Sequence, residues 1–312
     1  MSGGEPEQTG DAGPIGEPVT VGVSTNGASA NGGAPGSPEK LRLGGMALRN
    51  GLLIHGPTSW GAAARAADGT IDVASGPKPD FGGNRFAKVP IMRGPLRLAE
   101  AFAVIPVARM SVPSARLPFE DPKVVGAGIA STVAGNLIRG KGRATPLREG
   151  LAAAIGFVPA LVSLTGSDLA AYHAAEHKSI GGYEQDRDPA EVPKEHKRCG
   201  SNLIAPMVFF SLAGQLTLDR LVERPGRFAR AVSAIAGLSL SVEVFVAAER
   251  RPDSAIGRAV HASGHFIQAR FATREPTPEQ LEVGAAAMAE ILRVEGEPVA
   301  ADGDDEPLPP AA

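Results

Sequence analysis

The sequence has 312 residues, of which 43% are hydrophobic and 4% aromatic, and its formal net charge is -3. This length allows one large domain or two small ones. A single cysteine excludes an internal disulfide and suits a reducing compartment. Only one tryptophan and two tyrosines are available to stack on bases, so we expect no nucleic acid among the partners.

Both ends of the chain have the composition of disordered tails. Residues 1–41 are rich in Gly, Pro, Ser, Glu and Asn, and the first basic residue is Lys40. Such a segment cannot bury enough apolar surface to offset its ordering entropy. It also lacks the basic start and apolar run of a signal peptide. We predict a disordered tail at 1–41, a single membrane-associated domain at 42–294, and a disordered acidic tail at 295–312.

The first part of the domain, 44–75, predicts a small β element. Short apolar runs and paired glycines over 43–57 indicate a strand that is entered and left through tight turns. Farther on, Asp68 and Gly69 stand between two segments that favour extended structure, and this dipeptide is a strong hairpin signal. The sequence therefore predicts a small antiparallel β-hairpin or sheet near the N-terminus.

The rest of the domain, 95–294, favours helices. An apolar helix is predicted over 96–109, and four apolar stretches follow between charged residues, at 124–138, 150–167, 199–218 and 231–242. Near the end, Thr277 and Gln280 form a capping box ahead of an amphipathic helix over 278–294. The predicted fold class is mainly α, a bundle of short apolar helices with the small N-terminal sheet and disordered tails.

Length alone leaves open whether these stretches cross a membrane or form a buried core. A span needs about 20 helical residues, or ~30 Å. Only the 20 residues at 199–218 reach that length by themselves, and they include Asn202 and Gln215. If the stretch at 231–242 continues as a span, Glu243 lies inside it, where a carboxylate usually faces a protein interior and marks a function.

The strongest chemical motif is a pair of histidines, His173 and His177, with Glu176 between them. Positions i and i+4 share one face of a helix, so both imidazoles can converge on one point. His-x-x-Glu-His is also the order of inverted zinc proteases, whose carboxylate acts as the base. His196 and Cys199 follow, and imidazoles with a thiolate suit zinc. The alternative is a polar helix end whose histidines hydrogen-bond to backbone or carboxylates.

Taken in chain order, these motifs resemble the domain-of-unknown-function 1385 family, a bacterial family of predicted metal-dependent membrane enzymes. The resemblance implies an integral membrane protein with several helices, and it implies no particular reaction. Asn50 stands where that family usually has a glutamate, His55 where it has an arginine, and Lys197 where it has a proline. The similar segments together cover about 44–294, and they are 44–57, 93–94, 172–184, 196–201, Gln268, 273–276 and Glu282.

We therefore predict a metal-dependent, hydrolytic, multi-pass protein of the cell (inner, cytoplasmic) membrane, with the lipid bilayer as its partner. The candidate ligands of a divalent metal, zinc by preference, are His173, His177, His196 and Cys199. Glu176 is the candidate general base, which draws a proton from water. The substrate and the oligomeric state are not predicted.

Two other functions are consistent with the sequence. A non-catalytic membrane scaffold or assembly factor would use His173, Glu176, His177 and Arg198 as a buried polar network that fixes one packing. A transporter would instead be centred on Glu243, facing a polar cavity.

Overall fold

The N-terminal part of the domain forms a four-stranded antiparallel meander. Its strands, in spatial order, are β1 (Gly44–Ala47), β2 (Gly51–His55), β3 (Ser59–Arg65) and β4 (Ile71–Pro77). Asp68 and Gly69 lie in the turn between β3 and β4, and Gly69 has a φ of 91°, which glycine adopts without steric cost. The predicted hairpin is confirmed as part of this larger sheet.

The computed structural model describes residues 40–81, 93–140, 145–165, 168–223 and 225–296. Of the predicted tails at 1–41 and 295–312, only residues 40–41 and 295–296 are among the described residues. One of these, Glu295, accepts hydrogen bonds from the backbone N–H groups of Thr58 and Ser59 at 2.9 and 2.7 Å. This contact ties the end of the last helix to the turn between β2 and β3.

Helices make up most of the rest, which confirms the mainly α fold class with a small N-terminal sheet. Several of them begin with a capping side chain: Asp121, Thr145 and Ser254 each accept a backbone N–H of the first turn. The helices are α1 (Arg93–Ser111), α2 (Pro122–Arg139), α3 (Pro146–Gly156), α4 (Val158–Leu164), α5 (Leu169–Gln185), α6 (Ile204–Leu221), α7 (Arg227–Arg250), α8 (Ala255–Ile267) and α9 (Pro278–Gly296).

Helix α5 carries the histidine motif, and it is buried along most of its length. It packs beside α9 against one face of the sheet, where Val283, Ala287 and Ile291 are fully buried beside Leu52 and Ile54. Full burial of a Val, Leu or Ile side chain stabilises by roughly 1.5–3 kcal/mol. The motif helix is therefore held between the sheet and the last helix of the chain.

The other face of the sheet packs against α1. Trp60 and Leu53 lie there in one apolar cluster with Val104 and Ile105 of α1 and with Val112, the residue after that helix. Because both faces of the sheet are covered, successive residues of a strand are buried and do not alternate with exposed ones. In β3 every residue except the last is buried.

Among the residues that the structure describes, three helical segments are long and apolar enough to cross a membrane: Pro146–Leu164, Gly200–Leu221 and Arg227–Arg250. Few of their residues are buried within the protein, and large apolar side chains such as Phe209 and Phe228 stay exposed. Exposed apolar surface of this extent is typical of contact with lipid. The three segments are consistent with a membrane location, and three of the four predicted apolar stretches fall within or largely within them.

Candidate metal centre

Helix α5 brings the two histidines of the motif together on one face. The ring centroids of His173 and His177 are 4.4 Å apart. The helix ends at Asp186, whose φ of 52° and ψ of 47° form a left-handed cap that stops the helix. His173 and His177 therefore share one face of α5, as the four-residue spacing of the motif predicts.

Cys199 completes a three-residue cluster with these histidines. Its Sγ lies 3.4 Å from Nε2 of His173, and one donor atom from each of His173, His177 and Cys199 lies within 4.8 Å of the others. Zinc–nitrogen and zinc–sulfur bonds of about 2.1 and 2.3 Å at a tetrahedral angle separate the two donor atoms by roughly 3.5 Å. The cluster could therefore hold a metal ion with small movements of the side chains.

Backbone carbonyls orient both histidine rings. Nδ1 of His173 lies 2.9 Å from the carbonyl oxygen of Ala272, and Nδ1 of His177 lies 2.6 Å from that of Lys194. Because a carbonyl oxygen only accepts, each Nδ1 carries the hydrogen, and in the neutral form of each ring Nε2 keeps its lone pair. Histidines that bind metals are oriented in this way by donating the other ring N–H to a carbonyl or carboxylate.

Gln268 positions the turn that carries Cys199. Its side-chain oxygen accepts the backbone N–H of His196 at 2.7 Å, and its side-chain nitrogen donates to the hydroxyl of Ser201 at 2.8 Å. It begins a π-helical segment, Gln268–Ala272, which also supplies the carbonyl that holds His173. Gln268 is not among the predicted site residues, and the signal in the sequence that points to it is a lone amide at the end of an apolar helix.

His196 lies beside the cluster, and the structure places its Nε2 against a carboxylate. The distance from this atom to Oε2 of Glu184 is 3.2 Å, and Glu184 also pairs with Arg198. The ring centroids of His196 and His177 are 5.6 Å apart. His196 is not among the residues whose donor atoms lie within 4.8 Å of one another, so it would have to move toward the cluster to become a fourth ligand.

Glu176 is buried beside the cluster, and its electrostatic neighbours are His173 and Cys199. Burial raises the pKa of its carboxyl group to about 8; Cys199 adds to this rise, while His173 opposes it. The strand β1 lies close to this carboxyl group. A Cβ added at Gly45 would be 2.7 Å from Oε1 of Glu176. A bound cation would lower this pKa by attraction.

Burial also sets the protonation of the cluster. It lowers the pKa of His177 well below its ordinary value, which favours the neutral imidazole that binds metals. It raises the pKa of the Cys199 thiol, and a bound metal ion would reverse that shift. A cavity of about 80 Å³ lies among Gly45, His173, Glu176 and Cys199, which is room for an ion and a water molecule.

Two other residues singled out from the sequence lie elsewhere. Asn50 donates from Nδ2 to the carbonyls of Arg65 and Ser114, both at 2.8 Å, and its oxygen accepts the N–H of Arg116 at 2.9 Å. A glutamate could not make the two donations, so Asn50 here joins the turn after β1 to the segment after α1. Glu243 is half-buried on α7 and does not line the cavity at His173.

Fold and site together define a mainly helical protein with three candidate membrane spans and a His-His-Cys cluster that could hold a metal ion. Residues 143–294 match the family described as Protein of unknown function (DUF1385), which confirms the resemblance read from the motifs. All five predicted site residues fall within this match, and the sheet precedes it.

One relative is similar over part of the chain. It is described as Uncharacterized protein YqhQ of Bacillus subtilis (strain 168), and it is 29% identical over 133 residues. These residues are 40% of this chain and 40% of the relative, so the match spans less than half of either protein. No solved structure matches the chain.

Proposed function

We propose that this protein is a metal-dependent hydrolase of the cell (inner, cytoplasmic) membrane, with zinc bound by His173, His177 and Cys199. One observation carries the proposal. Both histidines donate Nδ1–H to a backbone carbonyl, which leaves both Nε2 atoms free to bind an ion beside the sulfur of Cys199. Carbonyl bonds to both rings of an i and i+4 pair are the support that a metal site needs.

The number of protein ligands separates a catalytic site from a structural one. Three protein ligands leave the fourth position of zinc for water or substrate, whereas four ligands close the site. The set of three is supported by the geometry, because the donor atoms of His173, His177 and Cys199 lie within 4.8 Å of one another and His196 is not part of this group. The small cavity that reaches Glu176 provides space for the water.

Glu176 is placed to act as the base in hydrolysis. When bound, a zinc ion would polarise the substrate and lower the pKa of water to about 7. Glu176 would accept one proton as the water oxygen forms a bond to the electrophilic atom of the substrate. It would then return that proton to the leaving group as the scissile bond breaks, so that water is added across the bond.

A membrane location fits this chemistry. The segment Gly200–Leu221, a candidate span, begins directly after Cys199. The centre would then lie at one end of a span, near the boundary between lipid and water. The multi-pass arrangement follows if all three candidate spans cross the bilayer.

The test is metal content measured on protein purified in detergent, by mass spectrometry of the elements. We expect about one divalent ion per chain in the wild type, and loss of that ion in His173→Ala, His177→Ala and Cys199→Ala. Glu176→Gln should keep the ion, since the glutamate is the base and not a ligand.

His196→Ala distinguishes the two kinds of site. It should also keep the ion; loss of the ion there would indicate a closed structural site. A wild type without metal would contradict the proposal and favour the scaffold alternative, in which His173→Ala lowers stability alone.

A further inference from the structure

A second and larger cavity lies directly beside the candidate metal centre. Its volume is about 460 Å³, within the range of roughly 300–1,000 Å³ of small-molecule sites. It is an open cavity bordered by α4, by the turn before α6 and the start of α6, and by the end of α8 with the segment that follows it. Its lining is largely apolar and includes Phe157, Leu161, Leu164, Ile204, Ile267 and Phe271.

The two cavities meet at the metal centre. His173 and Gly200 line both of them, and Ala272, whose carbonyl orients His173, also lines the larger one. His173 therefore borders both a polar cavity that includes Glu176 and an apolar cavity. A molecule that fills both must have a polar end and an apolar body.

The larger cavity is placed where lipid can enter it. Two of its walls, α4 and the start of α6, belong to the candidate spans Pro146–Leu164 and Gly200–Leu221. At its rim, Leu161 is 43% exposed and Phe271 is 52% exposed. An apolar molecule dissolved in the bilayer would meet this opening without passing through water.

We propose that the larger cavity binds the acyl chain of a lipid substrate and places the polar, hydrolysable end of that lipid at His173, Cys199 and Glu176. This inference rests on the proposed function and adds the substrate class to it. The cavity selects an alkyl chain rather than a segment of polypeptide, whose amide groups would need hydrogen-bond partners in an apolar site.

The polar groups of the lining are engaged with the protein itself. The hydroxyl of Ser163 donates to the carbonyl of Ala160 at 2.7 Å. The hydroxyl of Ser201 accepts from Gln268 at 2.8 Å and lies 3.4 Å from the carbonyl of Gly264. Nδ1 of His173 is held by Ala272. The lining therefore offers few hydrogen-bond partners to a peptide backbone. An alkyl chain requires only apolar contacts.

The test uses full-length protein in nanodiscs of phosphatidylethanolamine that carries a photoreactive diazirine within one C16 acyl chain. Labelled residues are mapped by mass spectrometry. Ala160→Trp should fill the cavity, because Ala160 lines it. Ala154→Trp is the matched control, since Ala154 is exposed on the same candidate span and does not line this cavity.

A second pair of variants acts at the junction of the two cavities. A Cβ on Gly200 meets no atom within 4 Å, so Gly200→Leu should enter the shared space without clashing with the protein. Gly126→Leu is its control, because Gly126 also has open space around it. Metal content is measured on all four variants, which keeps the test of the lipid site separate from the test of the metal centre.

We expect labelling of Leu161, Ile204 and Phe271 in the wild type and in both controls, and a drop of about tenfold in Ala160→Trp and Gly200→Leu with metal content unchanged. Equal labelling in all variants overturns the lipid site and leaves the metal centre standing; a polypeptide cross-linked within the cavity would then be the occupant. Labelling of the cavity in a wild type without metal overturns the assignment of the lipid as substrate, together with the proposed function.

Discussion

The side chain of Gln268 forms two hydrogen bonds with the backbone of His196. Its oxygen accepts the N–H of His196 at 2.7 Å, and its nitrogen donates to the carbonyl of His196 at 3.2 Å. The side-chain amide pairs with the N–H and C=O of His196 as a neighbouring strand does in a β-sheet. The two residues lie 72 positions apart in the chain. The turn that presents Cys199 to His173 is therefore fixed by a residue that would not itself touch the ion.

Replacing Gln268 should weaken metal binding without removing a ligand. Gln268→Leu removes both bonds to His196 and the bond to Ser201, and we expect metal affinity to fall about 10–100-fold. Loss of these buried bonds should also lower the free energy of unfolding by about 1–3 kcal/mol. Competition with a chelator measures the affinity. Gln185→Leu, at an exposed position on α5, is the control, and equal affinity in the two variants would contradict the positioning role.

Adding a methyl group at Gly45 should displace the buried carboxylate. In Gly45→Ala the new Cβ would lie 2.7 Å from Oε1 and 2.8 Å from Cγ of Glu176, so either β1 or the side chain has to move. We expect a loss of about 1–3 kcal/mol in stability, as in other overpacked sites. Gly126→Ala is the control in open space within α2, and it should stabilise by roughly 0.5–1 kcal/mol. Chemical unfolding in mild detergent gives both values.

The ion pair between buried Lys178 and exposed Glu275 should respond unequally to loss of its two partners. Nζ of Lys178 lies 2.7 Å from Oε1 of Glu275; the Lys178 side chain is 5% exposed and that of Glu275 is 65% exposed. Glu275→Gln leaves a buried ammonium group with one carbonyl partner, Ala190, and should cost about 1–3 kcal/mol. Lys178→Met leaves a carboxylate that water already solvates, and should cost less. A larger loss in Lys178→Met would refute this asymmetry.

Stability should fall in acid because of His55. Burial, with a smaller contribution from the charge of Lys78, lowers the pKa of His55 from 6.5 to about 4. Between these values the unfolded chain binds the proton and the folded chain does not, so stability is complete above pH 6.5 and declines toward pH 4. The decline due to this group is at most about 3 to 4 kcal/mol, from about 1.36 kcal/mol for each unit of the difference between 6.5 and about 4.

The effect of His55 is isolated by comparing the wild type with His55→Gln. Unfolding midpoints are measured at several values between pH 7 and pH 4. The difference in stability between the two proteins should change by up to this amount as the pH falls. If the two proteins lose stability in parallel, His55 does not titrate as its surroundings indicate.

Local patterns predicted the parts of the structure that depend on neighbouring residues. The four-residue spacing of His173 and His177 predicted their shared face, and the capping box at Thr277 and Gln280 is present, with N–H to side-chain distances of 3.0 and 3.4 Å. The Asp68–Gly69 turn is also where the dipeptide placed it. Each of these signals comes from side chains within one turn or one helix.

Contacts made by the backbone across long distances could not be read from the sequence. The carbonyls that orient the two rings belong to Ala272 and Lys194, and every residue has a carbonyl, so its use leaves no mark in composition. The position of His196 depends on Glu184, which is brought to it by the fold. The predicted stretch at 150–167 became two helices, because Pro159 near the start of α4 lacks an amide hydrogen.

The carbonyl of Ala272 that holds His173 bears on when the metal centre can form. The ring and its support are 99 residues apart, and α9, which packs against the motif helix, follows later still. A nascent chain that has left the ribosome only as far as Cys199 carries all three donors and has neither this brace nor the last helix. An ion captured at that stage would sit in a loose pocket that exchanges metals readily. On the proposed function, selection of the ion would therefore follow the docking of α9 against the motif helix.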